Sequence, residues 1–194
     1  ICKKEKVITD FDEKFVDRYN FLIKYQNKKY AEKYKELVDY VKKHEERINF
    51  DNKNLSKAVT INYFKLMSYK DEYEVARLYS NNEFKNKINE TFEGNFKIKF
   101  YLAPPIFYKK DKVTGNPLKM NFGSWIMILF KFISMFKFLR GTYFDLFGYF
   151  EERKIERLLI NNYKQRILEI CSKLTIDNYT LAVEIASIPD QIRG

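Results

Sequence analysis

The densest set of reactive side chains is Glu151, Glu152, Arg153, Glu156 and Arg157. Glu152 and Glu156 lie four residues apart and share a helix face, a spacing that suits paired acid–base work or a metal ion. Arg153 and Arg157 occupy the adjoining ridge. A guanidinium beside a carboxylate lowers its pKa, whereas a general acid needs it raised. The set therefore reads as a structural ion-pair ladder at a helix start, and Asp71 and Glu72 with Arg77 read the same way. The single histidine, His44, stands beside Glu45 on a Lys/Glu-rich helix face. That position predicts a solvated or salt-bridged imidazole rather than a base. A Cys–His dyad would need Cys2 or Cys171 beside His44, and no motif supports either pairing. Neither cysteine sits in a CxxC, and two thiols are too few for a four-cysteine cluster or a structural zinc. The sequence contains no GxGxxG, GxxxxGK[ST], GxSxG or HExxH, so phosphate cradles and nucleophile elbows lack their signatures. No catalytic, cofactor-binding or metal-ligating residue is assigned.

One loop remains as a candidate site. Arg140, Gly141, Asp145 and Gly148 lie between the most apolar stretch of the chain and its most charged helix. A structural reading gives the glycines positive φ, makes Asp145 the cap of a turn and sets Arg140 against a helix C-terminal dipole. A docking reading turns the loop and the basic helix faces toward a partner domain or an acidic protein. Both readings stay open on sequence alone.

Hydrophobic period assigns the elements that must hold these residues. Asp10 with Glu13, or Thr9 with Asp12 in a second register, marks a helix start, followed by Phe11, Phe15, Tyr19, Leu22 and Ile23 at helical spacing. A second helix follows Asn27, with Tyr30, Tyr34, Leu37, Val38, Val41 and Ile48 on one face. Residues 49–54 break the period and mark a boundary between a helical segment, 1–54, and the rest of the chain, 55–194. Helical spacing resumes from Leu55 through Tyr79 and again over Phe84, Ile88 and Phe92, with Gly94 suited to the left-handed residue after a helix. Phe96, Ile98, Phe100 and Leu102 then alternate with Lys97, Lys99 and Tyr101, the pattern of a half-buried strand stopped by Pro104-Pro105. Ile106–Tyr108 and Leu118–Phe122 flank a polar turn and suggest a small hairpin. Trp125–Leu139 is apolar except for Lys131, Ser134 and Lys137. Helical, it reaches only about 22 Å, short of a ~30 Å bilayer core, so it reads as a helix buried on most of its circumference and not as a membrane span. A long helix from about Phe150 to Leu174 and a last one ended by Pro189 complete the chain. The fold class is mainly α with a small β element (α+β).

Composition agrees. Eighteen Phe and 15 Tyr supply a core, and six Gly with four Pro argue against a many-turned sandwich or barrel. The net charge of +10 comes mostly from lysine. It is consistent with solvated helix faces, with steering of an acidic protein, or with phosphate contacts, and the carboxylates that break each lysine run weigh against nucleic acid. Cys171 in a periodic helix predicts a buried thiol, and nothing suggests a disulfide scaffold, so a reducing cytoplasm is expected. The start, Ile1 to Lys6, has neither an initiating Met nor a signal-peptide core and reads as a cut from something longer.

Several blocks recur together as a set: Tyr69 to Tyr79, Phe100 to Pro105, Arg140-Gly141-Thr142 with Phe144-Asp145 and Phe147-Gly148-Tyr149, Glu151-Glu152-Arg153 with Glu156-Arg157, and Ile188-Pro189-Asp190 with Ile192-Arg193-Gly194. In this order, over about residues 55–194, they resemble the carboxy-terminal region of fused indolepyruvate ferredoxin oxidoreductases. The resemblance implies a parent enzyme that oxidatively decarboxylates aryl 2-oxoacids to acyl-CoA with thiamine diphosphate, magnesium and iron–sulfur clusters, and passes electrons to ferredoxin. Those motifs lie upstream in the family and none is present here, so no catalytic residue carries over. Tyr101 stands where the family commonly has His, and the Ile192-Arg193-Gly194 ending looks cut. The resemblance implies that 55–194 is a helical, carboxy-terminal accessory domain, that 1–54 is a helical connection from a preceding catalytic domain, and that the partners are the parent's catalytic domains and ferredoxin. The alternative is a freestanding basic module that binds nucleic acid or an acidic protein.

Overall fold

A computed structural model describes residues 10–48, 53–94, 96–103 and 118–192. Among them are eight α-helices and one antiparallel pair of strands, the mainly helical architecture with a small β element that the period predicts. The chain divides into two compact units. One takes the described residues up to Tyr69 and from Phe138 onward, and the other is Lys70–Lys137.

The first unit holds α1 (Asp10–Tyr25), α2 (Lys28–Arg47), α3 (Asn54–Met67), α7 (Glu151–Ser172) and α8 (Tyr179–Ile192). Helix α2 starts where Asn27 accepts a hydrogen bond from the Tyr30 amide at 2.9 Å. Its apolar stripe, Tyr34, Leu37, Val38 and Val41, shares one buried cluster with Leu22 and Tyr25 of α1, Leu55, Val59 and Tyr63 of α3, Ile167 of α7 and Ala186 of α8. The boundary at residues 49–54 thus separates helices that share one core, and the division into compact units falls elsewhere.

Tyrosines form much of this core. Tyr34 stacks on Tyr63 with centroids 6.2 Å apart, and Tyr63 on Tyr163 at 5.9 Å. A buried phenol needs a partner for its hydroxyl. Tyr34 donates to the Thr60 carbonyl at 3.1 Å and Tyr163 to Ala186 at 2.8 Å, which pins helix to helix, and Tyr25 donates to the Tyr69 carbonyl just beyond α3 at 2.9 Å. Pro189 does not end α8, contrary to the sequence expectation: it lies inside the helix, which continues to Ile192. Proline removes one amide donor there, and only the last turn follows it.

The second unit holds α4 (Glu72–Ser80), α5 (Asn82–Thr91), α6 (Ile126–Met135), β1 (Phe100–Leu102) and β2 (Met120–Phe122). Asp71 caps α4 by accepting from the Glu74 amide at 2.8 Å. Gly94 is left-handed at φ +80, but it lies beyond the cap residue Phe92 and not immediately after it. Phe100 pairs with Phe122, Tyr101 with Asn121 and Leu102 with Met120. The strand alternation holds over Ile98, Phe100 and Leu102, which join the core, while Lys97, Lys99 and Tyr101 are exposed. Phe96 is exposed, so the inward set is shorter than the pattern predicts. Of the expected hairpin, Ile106–Tyr108 lies outside the described residues, and the partner of β2 is the alternating strand.

Helix α6 corrects another expectation. Only Ile126 and Phe130 are buried, whereas Ile128 is 77 % exposed, Met135 65 % and Phe132 59 %. The small unit offers one packing surface, so one stripe of the helix is covered and the rest of its apolar circumference faces outward.

Candidate functional site

The loop Arg140–Tyr149 is organised around two charged side chains that are buried in it. Arg140 is 4 % exposed. Its Nη1 donates to the Tyr25 carbonyl at 2.7 Å, and its guanidinium lies 3.7 Å from the centroid of the Tyr25 ring. The arginine therefore neutralises the C-terminal end of α1, where a carbonyl has no intrahelical donor. Gln26 Nε2 returns a bond to the Arg140 carbonyl at 3.0 Å.

Asp145, 3 % exposed, holds the loop's own shape. Its Oδ2 accepts from the Gly141 amide at 2.7 Å and its Oδ1 from the Gly148 amide at 3.0 Å. Arg157 on α7 closes the network with an ion pair to Asp145 at 3.3 Å and a hydrogen bond to the Gly148 carbonyl. The two glycines serve different purposes. Gly141 has φ +74, a left-handed conformation that L side chains resist. A Cβ on Gly148 would stand 2.5 Å from Asp145 Oδ2 and 2.8 Å from Arg157 Nη1, so that glycine is required by close approach. We expect Gly148→Ala to lose about 2 kcal/mol in urea unfolding, from displacement of a buried charged pair. An unchanged midpoint would show that the pair shifts freely.

The loop's candidate residues thus converge, but inward. What it presents outward is apolar: Tyr143 at 84 % exposure, with Phe144, Leu146 and Tyr149 also exposed. Any docking by this loop would use those rings and not the charge of Arg140.

Charged residues at the start of α7 pair both along the helix and away from it. Glu151 pairs with Lys154 at 2.6 Å, but Arg157 turns to Asp145 instead of to a neighbouring glutamate on its own helix. In the second unit Arg77 makes a two-pronged contact with Glu74, at 2.7 and 2.8 Å, while Asp71 acts as the helix cap. His44 Nδ1 lies 2.9 Å from the Tyr40 carbonyl and its ring packs on Tyr40 at 4.2 Å. Cys171 is buried, and burial pushes its thiol up to about 12, far from the range of a reactive nucleophile. Among the described residues no group of three His, Cys, Asp or Glu side chains could hold a metal ion. Nor is any described helix long and apolar enough to cross a membrane.

Glu45 is the residue the sequence pattern concealed. It is 1 % exposed and does not share the solvated face assigned to it with His44. Its carboxylate accepts from the Leu55 amide at 2.9 Å, the Ser56 amide at 3.2 Å, the Ser56 hydroxyl and the Tyr179 hydroxyl. Lys53, the N-cap residue of α3, is left-handed and makes no side-chain cap, so a carboxylate from α2 takes over that function. Together Glu45 and Tyr179 tie α2, α3 and α8 into one structural joint.

A family model described as a family of unknown function (DUF6537) matches residues 11–194. The chain belongs to that family. The DUF6537 match runs from α1 to the end of the chain and includes both compact units and the loop. No curated protein and no solved structure matches the chain.

Proposed function

We propose that the chain is an accessory domain of a cytoplasmic 2-oxoacid:ferredoxin oxidoreductase of the indolepyruvate type, serving assembly or docking without redox chemistry of its own. The observation that favours an interaction role is the apolar surface left open on α6, with Ile128, Phe132 and Met135 outward. Open apolar patches of this kind mark surfaces that a partner covers. The ordered sequence blocks supply the choice of parent. In that parent, thiamine diphosphate, magnesium and iron–sulfur clusters would belong to the upstream catalytic domains, which are the first expected partners, with ferredoxin the second.

Two measurements test the reading. The isolated chain is expected to show no 2-oxoacid-dependent dye reduction, and turnover by it would overturn the proposal. In the full-length enzyme, Ile128→Asp with Phe132→Asp should lower assembly or ferredoxin-dependent rate by about tenfold or more, since apolar anchors carry most interface energy. Full rates with intact assembly would remove α6 from the interface. The net charge of +10 favours a second reading, a basic module for nucleic acid or an acidic protein. That reading requires binding to duplex DNA or RNA, or to an acidic protein, that falls steeply with salt.

A further inference from the structure

A cavity of about 310 Å³ in the helical unit is lined by four cationic side chains, Lys33, Arg140, Arg157 and Lys164, and by no carboxylate. The two arginines are already engaged, Arg140 by the end of α1 and Arg157 by Asp145. Lys33 and Lys164 make no ion pair among the described residues. Two of the four cations, Lys33 and Lys164, are therefore left to meet an anion.

Two uncharged groups set this cavity apart from an ordinary basic surface. Tyr63 is 2 % exposed and lines the cavity, yet its hydroxyl has no hydrogen-bond partner among the described residues. The core's other stacked phenols, Tyr34 and Tyr163, both donate to backbone carbonyls. Burial pushes the Tyr63 phenol up to about 12, so at neutral pH it keeps a proton to donate. Gln26 Oε1, also on the lining residues, is a buried acceptor without a partner. Buried polar groups are nearly always paired, and the unpaired Gln26 Oε1, on the same cavity as a Tyr63 hydroxyl that makes no hydrogen bond among the described residues, marks a place where a ligand supplies the missing partner.

We infer that this cavity binds the phosphomonoester of a small ring-bearing molecule, with Lys33, Lys164 and the Tyr63 hydroxyl on the phosphate. The charge decides for phosphate. A phosphomonoester carries about −1.5 to −2 near neutral pH, which matches two free lysines, whereas a carboxylate leaves one unmatched. The ring fits the rest of the lining, where Tyr30, Met67 and Tyr69 present apolar faces. A volume of about 310 Å³ lies at the lower end of small-molecule sites and leaves room for little more than one ring and its head group. Gln26 Oε1 accepts a hydrogen bond from a donor on that ring. The site is independent of the assembly reading, because it is built within one helical unit and needs no partner domain.

Calorimetric titration of the chain with phenyl phosphate, inorganic phosphate and phenylacetate tests the inference. Phenyl phosphate should bind most tightly. Tyr63→Phe, which deletes only the unpaired hydroxyl, should weaken it by about fivefold or more at an unchanged melting temperature, and Lys33→Gln with Lys164→Gln by about tenfold or more. Phenylacetate binding as tightly as phenyl phosphate would overturn the assignment to phosphate. Equal binding of inorganic phosphate would overturn the ring. Phenyl phosphate affinity untouched by either variant, or no heat at millimolar ligand, would overturn the site.

Discussion

Replacing Glu45 by alanine should remove about 4 kcal/mol from the unfolding free energy of the helical unit, read by circular dichroism in urea. The magnitude follows from what the carboxylate leaves behind. The amides of Leu55 and Ser56 open a helix with no side-chain cap of its own, and the Tyr179 hydroxyl has turned inward to reach Glu45. Each buried donor without an acceptor costs about 1–3 kcal/mol, and alanine is too small to exclude or replace the lost contacts. Glu45→Gln keeps the shape and one acceptor oxygen and should lose about half as much. Against a typical domain stability of about 5–15 kcal/mol, the alanine variant approaches the threshold of folding at 37 °C. A loss below about 1 kcal/mol for Glu45→Ala would mean that water reaches these donors, and the joint between α2, α3 and α8 would not be a structural determinant.

In the second unit the largest effect belongs to Phe100→Ala, expected at about 3–5 kcal/mol. Phe100 is 6 % exposed and packs edge-on against Tyr79 at 5.4 Å and Phe130 at 5.6 Å, with Phe84 at 6.3 Å. Truncation removes a ring from the centre of three others, and rings fixed on three helices cannot collapse into the space. Trp125 is the chain's one tryptophan and belongs to this unit, so its fluorescence follows the local transition. Lys97→Ala, on the exposed side of the chain leading into β1, should move that transition by less than about 0.5 kcal/mol. A larger loss from Lys97→Ala than from Phe100→Ala would place the strand one residue out of register.

The contrast between these two residues shows where the amino-acid sequence suffices. Alternation over Ile98, Phe100 and Leu102 has one physical solution, a strand with that set inward, and the ladder to Met120–Phe122 adopts it. The period of α1 and the capped start of α2 after Asn27 were equally legible, because period and capping chemistry act within a few residues. For Glu45 the period was informative and the residue type misleading. It continues the stripe of Val38 and Val41 at helical spacing, but a glutamate on a Lys/Glu-rich helix looks solvated unless the uncapped start of α3 is known to lie against it. The candidate loop divides in the same way. Its glycines and Asp145 announced a built turn, while the partners of Arg140 on α1 and of Asp145 on α7 are 115 and 12 residues away. The apolar run of α6 fixed a helix but not its covering, since how much of a helix is buried depends on how many neighbours the unit supplies. Local chemistry, acting over four residues or fewer, was written in the chain; which polar groups meet, and which faces stay open, was decided only when distant helices packed.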